Sequence, residues 1–177
     1  MRIPELITEK FTLRSLRESD LDELVHICTD PETVRWTTIP LNYTRDDART
    51  FLDFTQRAAA AGRELTWAID NSGVLAGVVT LRLPGGSANA PGTHADLGFY
   101  TAPQMRGRGI MTDAVRKVLG FGFDPLGFAL DTIGWTALAG NTASERVAVK
   151  AGFTNIINGI STSAARPDKY GNRVAVA

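Results

Sequence analysis

The alternation of apolar and polar positions predicts a strand and then a helix near the start of the chain. Residues 11–16 alternate between the two kinds of side chain, as a half-buried strand does. Apolar residues within 21–28 then recur at helical spacing. Ser19, with Asp22 three positions later, is interpreted as a capping box at the start of this helix.

A second helical pattern lies between Thr44 and Gly62. Thr44 and Asp47 have the spacing of a capping box, and apolar residues within 48–59 share one helical face. Gly62 is expected to end the helix, because glycine readily adopts the left-handed conformation that follows a helix. The N-terminal third therefore predicts one strand followed by two helices.

The middle third predicts a meander of three strands. Residues 65–70 and 74–83 are β-rich and flank the turn at 71–73, which is the pattern of a hairpin. Residues 84–92, rich in proline and glycine, are expected to form a surface loop. A third strand is predicted at 95–101.

The last third predicts alternating helices and strands. Helices are expected at 110–119 and 142–150, with a strand at 133–139 between them and a final pair of strands between Gly152 and Val176. The order β-α-α-β-β-β-α-β-α-β-β is typical of an α/β (α+β mixed) fold. We expect a mixed, mostly antiparallel sheet of about six to seven strands, flanked on both faces by about four helices.

The composition favours a single folded domain over residues 1–177. Hydrophobic residues make up 44% and charged residues 21% of the chain, which excludes a disordered chain and a fibrous rod. Nineteen basic residues balance nineteen acidic ones. A net charge of zero offers no broadly basic surface, so neither nucleic acid nor a membrane is expected as a partner.

Cysteine and histidine are too sparse for a disulfide scaffold or a zinc site. Cys28 is the single cysteine, and its apolar neighbours indicate a core residue rather than a nucleophile. His26 and His94 lack the spacing of metal ligands, so no metal is expected. Residues 1–6 lack the apolar core of a signal peptide and no stretch is long enough to cross a bilayer, which predicts a cytoplasmic protein.

The segment Gln-Met-Arg-Gly-Arg-Gly-Ile at 104–110 joins a predicted strand to a predicted helix. Glycines let the backbone approach a ligand, and free N–H groups at a helix start favour a phosphate. Arg106 and Arg108 can add charge-assisted hydrogen bonds. The alternative is a tight turn with no ligand. Thr112 replaces the third glycine of a dinucleotide-binding loop, which argues against a nicotinamide-dependent oxidoreductase.

A second segment of interest runs from Asn141 to Phe153. Asn141 is suited to cap a helix, and Ser144 falls in the first turn of that helix. Lys150 and Gly152 suit the end of the same helix. From these residues alone, Ser144 is interpreted as a surface or capping hydroxyl rather than a catalytic one.

Together, the two segments resemble both signature motifs of the GNAT superfamily of acyl-CoA N-acyltransferases. They stand in the family's order, about 30 residues apart. Residues 104–109 are similar to its Gln/Arg-x-x-Gly-x-Gly/Ala pyrophosphate loop, and residues 141–153 to its Asn-x-x-Ser/Ala helix ending in Lys-x-Gly-Phe. Further segments resemble the RimJ/RimL-like branch, named for ribosomal-protein N-acetyltransferases: residues 13–16 with Asp20, residues 30–32 with Trp36, and residues 44–52.

The resemblance implies a GNAT-like fold and transfer of the acetyl group of acetyl-CoA to a primary amine by direct attack. The amine would belong to a protein N-terminus or a small molecule, no metal would take part, and the protein would be a monomer or homodimer. Trp36 would contact the acceptor, the alternative being a core aromatic residue. The implied cofactor-binding residues are Phe99, Tyr100 and Thr101 for the pantetheine arm, Arg106, Gly107, Arg108, Gly109 and Ile110 for the pyrophosphate, and Asn141 on the far side.

The catalytic residues that the resemblance implies depart from the family's usual pattern. Many relatives protonate the departing thiolate with a tyrosine, but Ala148 stands at that position here. Ser144 then becomes the leading candidate for the proton donor. Asp96 corresponds to a carboxylate that helps to deprotonate the amine through water, unless it is only an exposed strand carboxylate. His94, on the same strand face, is an alternative base.

Two other functions stay open. Because the tyrosine is absent, the chain could be a catalytically weak module that binds CoA without transfer. CoA binding without thiol release would favour that function. An acyltransferase that uses a larger donor, such as succinyl-CoA, is the second alternative.

Overall fold

The computed structural model describes residues 2–83, 94–160 and 171–176, and the predicted loop at 84–92 lies outside these ranges. The strands are β1 (Leu6–Ile7), β2 (Thr12–Ser15), β3 (Glu64–Asn71), β4 (Val74–Arg82), β5 (His94–Thr101), β6 (Thr132–Trp135), β7 (Thr154–Ile160) and β8 (Gly171–Val176). The helices are α1 (Leu21–Thr29), α2 (Pro31–Trp36), α3 (Arg45–Ala60), α4 (Ile110–Phe123) and α5 (Thr142–Ala151).

Six strands form one sheet in the order β1-β2-β3-β4-β5-β6. Neighbouring strands are antiparallel, except that β5 and β6 run parallel. β7 and β8 pair with each other in a separate two-stranded sheet. The predicted mixed, mostly antiparallel sheet is therefore confirmed, and the last two strands form their own ladder, with β8 lying beside β6.

Helices cover both faces of the sheet, as the α/β pattern predicts. Consecutive strand residues point to opposite faces, so Trp67 of β3 packs with α4 while Ala68 packs with α1 and α3. Leu24 of α1 and Leu52 of α3 are buried against the second face. Burying each such leucine contributes about 1.5–3 kcal/mol. The two apolar layers hold β4, β5 and α4 in place around the site described below.

The capping box predicted for α3 is confirmed. The Thr44 hydroxyl accepts a hydrogen bond from the backbone N–H of Asp47 at 3.3 Å, and the Asp47 carboxylate accepts one from the backbone N–H of Thr44 at 2.8 Å. Gly62 follows the helix with a φ of 67°, in the left-handed region. The sequence signals at both ends of α3 therefore act as expected.

The capping box predicted at Ser19 and Asp22 is wrong, because α1 begins directly after Asp20. The Asp20 carboxylate is buried and accepts hydrogen bonds from the Arg14 guanidinium at 2.7 and 2.8 Å. It also accepts one from the backbone N–H of Arg17 at 2.9 Å. The Asp20 carboxylate therefore binds residues that precede it, and no side-chain hydrogen bond caps α1.

α4 and β6 differ in length from their predictions. α4 continues past its predicted end to Phe123. Gly122 lets it continue close against β6, because a Cβ at that position would lie 2.7 Å from Cδ1 of Ile133. β6 ends at Trp135, short of the predicted range. After Trp135 the chain leaves the sheet, whereas the neighbouring strand β5 continues to Thr101.

β4 contains a bulge beside the end of β5. The register between β3 and β4 shifts after Ile69 and leaves Ala76 as the extra residue. The carbonyl of Ala76 accepts a hydrogen bond from the N–H of Ala102, the residue that follows β5, at 2.9 Å. Gly77 approaches β5 so closely that a Cβ on it would lie 2.5 Å from the carbonyl oxygen of Tyr100. The bulge thus fixes the last residues of β5 against β4.

Candidate active site

A cleft of about 560 Å³ lies at the open side of β5, beyond its last pairing with β6. Four parts of the chain line it: α2, the end of β5, the loop that leads into α4 together with the first turn of that helix, and α5. The predicted site residues that line it are Trp36, Phe99, Tyr100, Thr101, Arg106, Gly107, Gly109, Ile110, Asn141 and Ser144. The cleft lining does not include the other two, Arg108 and Asp96.

The end of β5 presents a free backbone edge to the cleft. Leu97 is the last residue of β5 that pairs with β6, where its partner is Trp135. In the described part of the chain, residues 98–101 pair only with β4. Backbone N–H and C=O groups along such an edge can bind an extended ligand as they would bind another strand.

The loop before α4 directs a helix N-terminus into the same cleft. Gly107 and Gly109 have φ values of 74° and 77°, which most side chains would strain. Gly109 is the N-cap of α4, and a Cβ on it would meet nothing within 4 Å. The first N–H groups of α4 and the positive end of its dipole therefore face a space that can hold a phosphate.

The Arg106 guanidinium is hydrogen-bonded to other side chains of the protein. It donates hydrogen bonds to the carboxylate of Asp30 and, at 2.9 Å, to the hydroxyl of Thr33. Burial raises the pKa of Asp30, but the hydrogen bonds from Arg106 and Thr33 outweigh burial and keep this pKa below its ordinary value. Arg106 lines the cleft, yet its charge ties the glycine loop to the start of α2.

α2, which sequence patterning did not predict, lies along the cleft and reaches toward α5. Asp30 caps it by accepting a hydrogen bond from the N–H of Thr33 at 2.8 Å, and Pro31 occupies its first turn. Trp36, at its end, lines the cleft. A Cβ on Gly140, in the loop before α5, would lie 3.6 Å from the Trp36 ring. Trp36 therefore stands on a cleft wall rather than in the core.

Asn141 and Ser144 face the cleft from the start of α5. The Asn141 side chain caps the helix, as predicted, by accepting a hydrogen bond from the N–H of Ser144 at 3.1 Å. The Ser144 hydroxyl accepts a hydrogen bond from the indole N–H of Trp135, also at 3.1 Å. Ala148 is fully buried one turn further along. A serine hydroxyl so placed can donate its own hydrogen to a group in the cleft.

Asp96 and His94 lie on β5 before it separates from β6. Nε2 of His94 is 3.3 Å from the Asp96 carboxylate, and Nδ1 is 2.9 Å from the hydroxyl of Thr132. The two ring nitrogens of His94 therefore bridge the Asp96 carboxylate and the Thr132 hydroxyl. Asp96 stays half exposed, with 49% of its side chain accessible. Because Asp96 does not line the cleft, a proton relay from the cleft to Asp96 would need an intervening water molecule.

Cys28 lies in the core beside Tyr43 and Tyr100, as its apolar neighbours predict. Burial raises the pKa of its thiol to about 12, although hydrogen bonds with the two tyrosines act in the opposite direction. The thiol is therefore protonated at neutral pH and inaccessible, and Cys28 does not serve as a nucleophile.

The charged side chains of the cleft are unevenly distributed. Arg146 and Lys150 line it from α5 and Arg106 from the glycine loop, whereas Glu32 of α2 supplies a carboxylate. Glu32 accepts a hydrogen bond from the indole N–H of Trp36 at 3.0 Å. The cationic side suits phosphate groups, whereas Glu32 is also paired with the exposed Arg35 guanidinium at 3.7 Å.

Within residues 2–83, 94–160 and 171–176, no cluster of three or more His, Cys, Asp or Glu side chains could hold a metal ion. None of the helices in these ranges is both long enough and apolar enough to cross a membrane.

Two hydrogen-bonded pairs in the site have no local sequence signal. Asp30 and Arg106 are 76 residues apart, and their pairing depends on how α2 lies over the cleft. Trp135 and Ser144 belong to a strand and a helix whose relative placement the pattern does not give. The one available hint is general: a buried tryptophan usually finds a partner for its N–H group.

The sequence matches a family model for the acetyltransferase (GNAT) domain over residues 10–154. A search of curated proteins finds no match to this sequence.

Solved structures share the fold over nearly the whole chain. A protein described as a ribosomal-protein-serine acetyltransferase from Vibrio cholerae has a TM-score of 0.80 at 16% identity, covering 100% of this chain and 99% of that one. The microcin C7 self-immunity acetyltransferase MccE, in complex with acetyl-CoA and AMP, has a TM-score of 0.75 at 18% identity, with coverages of 96% and 91%. RimJ of Mycobacterium smegmatis, in complex with CoA disulfide, has a TM-score of 0.73 at 20% identity, with coverages of 94% and 79%. At these identities the likeness concerns the fold.

The family match and the architecture agree with each other. The matched residues include both the glycine loop and α5, which line the same cleft. The chain therefore belongs to the GNAT acetyltransferase family of acyl-CoA-dependent transferases.

Proposed function

We propose that this protein is a cytoplasmic N-acetyltransferase that carries the acetyl group of acetyl-CoA to a primary amine. The observation that supports the proposal most strongly is that the free edge of β5 and the N-terminus of α4 meet in one cleft. An extended chain that carries amide groups suits the edge, and a pyrophosphate suits the helix end. Coenzyme A joins both in one molecule, and the MccE and RimJ structures contain acetyl-CoA and CoA disulfide.

The proposal gives each wall of the cleft a separate role in donor binding. Asn141 contacts the donor from the start of α5, and Arg108 adds positive charge outside the cleft lining. Arg106 contributes mainly by holding the loop against α2. The backbone of Phe99, Tyr100 and Thr101 binds the pantetheine arm, and that of Gly107, Gly109 and Ile110 binds the pyrophosphate.

The chemistry requires three proton movements. The amine must be neutral to attack the thioester carbon, and the proton of its ammonium form passes through water to Asp96, with His94 as the alternative base. The attack forms a C–N bond, and the nitrogen loses a second proton to solvent as the C–S bond breaks. Ser144 gives its proton to the departing thiolate and regains one from solvent. Each loss of an acid or base is expected to lower turnover by roughly 10²-fold or more.

The acceptor is proposed to bind beside Trp36. The Glu32 carboxylate next to that indole forms only an exposed pair with Arg35, which a cationic amine can displace before the amine loses its proton. The described activity of the Vibrio cholerae protein, on a ribosomal-protein serine, makes a peptide with an N-terminal serine the first acceptor to test. Small-molecule amines form the second class.

The proposal is tested by measuring acetyl-CoA binding calorimetrically and then following thiol release with a panel of amines. The panel contains a serine-initiated peptide, the same peptide with a blocked N-terminus, a lysine peptide and a polyamine. We expect release only with free primary amines. Tight CoA binding without release would indicate a binding module, and faster release from succinyl-CoA would indicate a larger acyl donor.

Trp36→Ala tests the acceptor wall. It is expected to change which amines are accepted while leaving acetyl-CoA affinity unchanged, because Trp36 stands on α2 rather than on the phosphate loop. Phe54→Ala is a suitable control, since Phe54 is a partly exposed aromatic residue of α3 outside the cleft lining. Equal loss for every amine, together with a lower melting temperature, would show that Trp36 is only structural.

A further inference from the structure

We infer that Trp135 is a positioning residue, whose indole N–H fixes the Ser144 hydroxyl so that its proton points to the departing thiolate. This inference rests on the proposed role of Ser144 as the proton donor. Trp135 itself lines no part of the cleft and acts through Ser144.

The geometry of the contact determines which atom keeps its hydrogen. Nε1 of Trp135 lies 3.1 Å from Oγ of Ser144. An indole nitrogen can only donate, whereas a hydroxyl has one hydrogen and two lone pairs. Ser144 therefore uses a lone pair for Trp135, and its own hydrogen remains available for a second partner.

The indole is fixed by its surroundings. Trp135 is the last residue of β6, 2% exposed, and belongs to the main apolar core. Its backbone pairs with Leu97, the last residue of β5 to meet β6. The indole N–H thus comes from a rigid part of the sheet, at the level where the cleft opens.

The backbone of Ser144 is held from another direction. Its N–H donates to the Asn141 side chain at 3.1 Å, so that both the main chain and the hydroxyl have fixed partners. A serine in the first turn of a helix can otherwise turn its hydroxyl toward nearby backbone carbonyls. A hydroxyl that accepts a hydrogen bond also becomes a stronger donor. Trp135 therefore both orients the Ser144 hydroxyl and strengthens it as a donor.

Trp135→Phe removes the N–H and keeps an aromatic ring in the core. We expect turnover to fall about tenfold with an unchanged acetyl-CoA KM, since the lost contact acts only on the proton transfer. In a Ser144→Ala background, Trp135→Phe should cause no further loss, because the hydroxyl that it orients is already gone. Independent losses that multiply in the double variant would overturn the inference.

Trp67→Phe is the matched control. Trp67 is also buried in the main core, and its indole N–H donates to the carbonyl of Pro4 at 2.8 Å, away from the cleft. The two single variants should lose comparable melting temperature, but Trp67→Phe should keep its turnover. If Trp135→Phe does not fold, benzothienylalanine at position 135 replaces it, because this analogue keeps the shape of tryptophan without the N–H.

A spectroscopic readout separates positioning from a general loss of structure. In the complex with free CoA, a hydroxyl aimed at the sulfur stabilises the thiolate and lowers the pKa of the CoA thiol, which the ultraviolet absorbance of the thiolate reports. Trp135→Phe and Ser144→Ala should both raise this pKa, and Trp67→Phe should not.

The outcomes distinguish the inference from the function on which it rests. If Ser144→Ala loses turnover while Trp135→Phe keeps both turnover and the thiol pKa, the inference is wrong and the proposed function stands. If Ser144→Ala keeps full turnover, the hydroxyl transfers no proton, and both the catalytic role of Ser144 and the inference are wrong.

Discussion

Arg106 and Ser144 both line the cleft, but their hydrogen-bond partners leave them with different capacities. The Arg106 guanidinium donates to Asp30 and Thr33, so part of its charge is already neutralised. Ser144 accepts from Trp135 and keeps its hydrogen. We therefore expect Arg106 to affect donor binding modestly and Ser144 to affect turnover strongly.

Arg106→Ala is expected to raise the acetyl-CoA KM by less than about tenfold, which is less than about 1.4 kcal/mol. Its side chain is 37% exposed, so the increase should shrink at high ionic strength, where exposed charges are screened. The measurement is KM at low and high salt, with Arg49→Ala, which removes an exposed ion pair with Glu18, as the control. A rise that high salt leaves intact would contradict a contribution from exposed charge.

The pKa of Asp30 predicts how stability responds to acid. Hydrogen bonds from Arg106 and Thr33 hold this pKa below its ordinary value despite burial. A carboxylate with a lowered folded pKa stabilises the protein above its unfolded pKa of about 3.9, and this contribution disappears as the pH falls through the folded pKa. Asp30→Asn should therefore lower the free energy of unfolding at neutral pH, and denaturant titrations should show the difference from wild type shrinking below about pH 4. A difference that is constant with pH would contradict this account.

At the scale of elements, the N-terminus of α4 is the part of the cleft best suited to an anion. Gly109 caps it with a left-handed backbone and open space around the position of a Cβ. Gly109→Asp adds a carboxylate to that space, where it repels a phosphate. We expect the acetyl-CoA KM to rise at least about tenfold, equivalent to about 1.4 kcal/mol.

Gly73→Asp is the control for this substitution. Gly73 lies in the turn between β3 and β4, has a φ of 87°, and also has open space around a Cβ. Backbone strain should therefore destabilise both variants by a similar amount, which their melting temperatures report. Calorimetry should show weakened acetyl-CoA binding in Gly109→Asp alone, and normal binding in that folded variant would contradict the phosphate site.

Element by element, prediction succeeded where the determining signal is local. Thr44 and Asp47 predict the start of α3, because its capping box is formed by two residues that are three positions apart in the sequence. The predicted capping box at the start of α1 is wrong because Asp20, not Ser19, is the N-cap. The Asp20 carboxylate binds Arg14 on β2, which is a tertiary contact. α2 was not predicted because its six residues are too short to establish a helical period.

At the scale of the whole molecule, the order of strands and helices sufficed to predict a mixed sheet covered on both faces. The glycine loop and α5, which carry the recognised motifs, both line the cleft. The pairings of Arg106 with Asp30 and of Ser144 with Trp135 could not be predicted, because they depend on side-chain placement across the cleft walls. The location of Asp96 outside the cleft lining likewise follows from where β6 ends.

A buried charge network joins β2 and β3 of the sheet to the start of α1. The Arg14 guanidinium, 8% exposed as a residue, binds Asp20 and also Asp70 of β3 at 2.7 Å. Arg14→Met should destabilise the protein by about 3 kcal/mol, because it leaves both carboxylates with only the half-exposed Arg17 guanidinium as a counter-charge. Arg49→Met breaks only an exposed pair and should cost at most about 1 kcal/mol. Equal losses for the two variants in chemical denaturation would contradict a stabilising role for the buried network.

The central claim is that one cleft binds acetyl-CoA and delivers its acetyl group to an amine. The most direct test mixes the protein with acetyl-CoA and a serine-initiated peptide, and measures free CoA thiol and acetylated peptide in the same sample by absorbance and mass spectrometry. The account predicts one acetylated N-terminus for each thiol released, with strongly reduced yields in Gly109→Asp and Ser144→Ala and a normal yield in Gly73→Asp. Failure of every free primary amine to become acetylated, by a folded protein that binds acetyl-CoA, would contradict it.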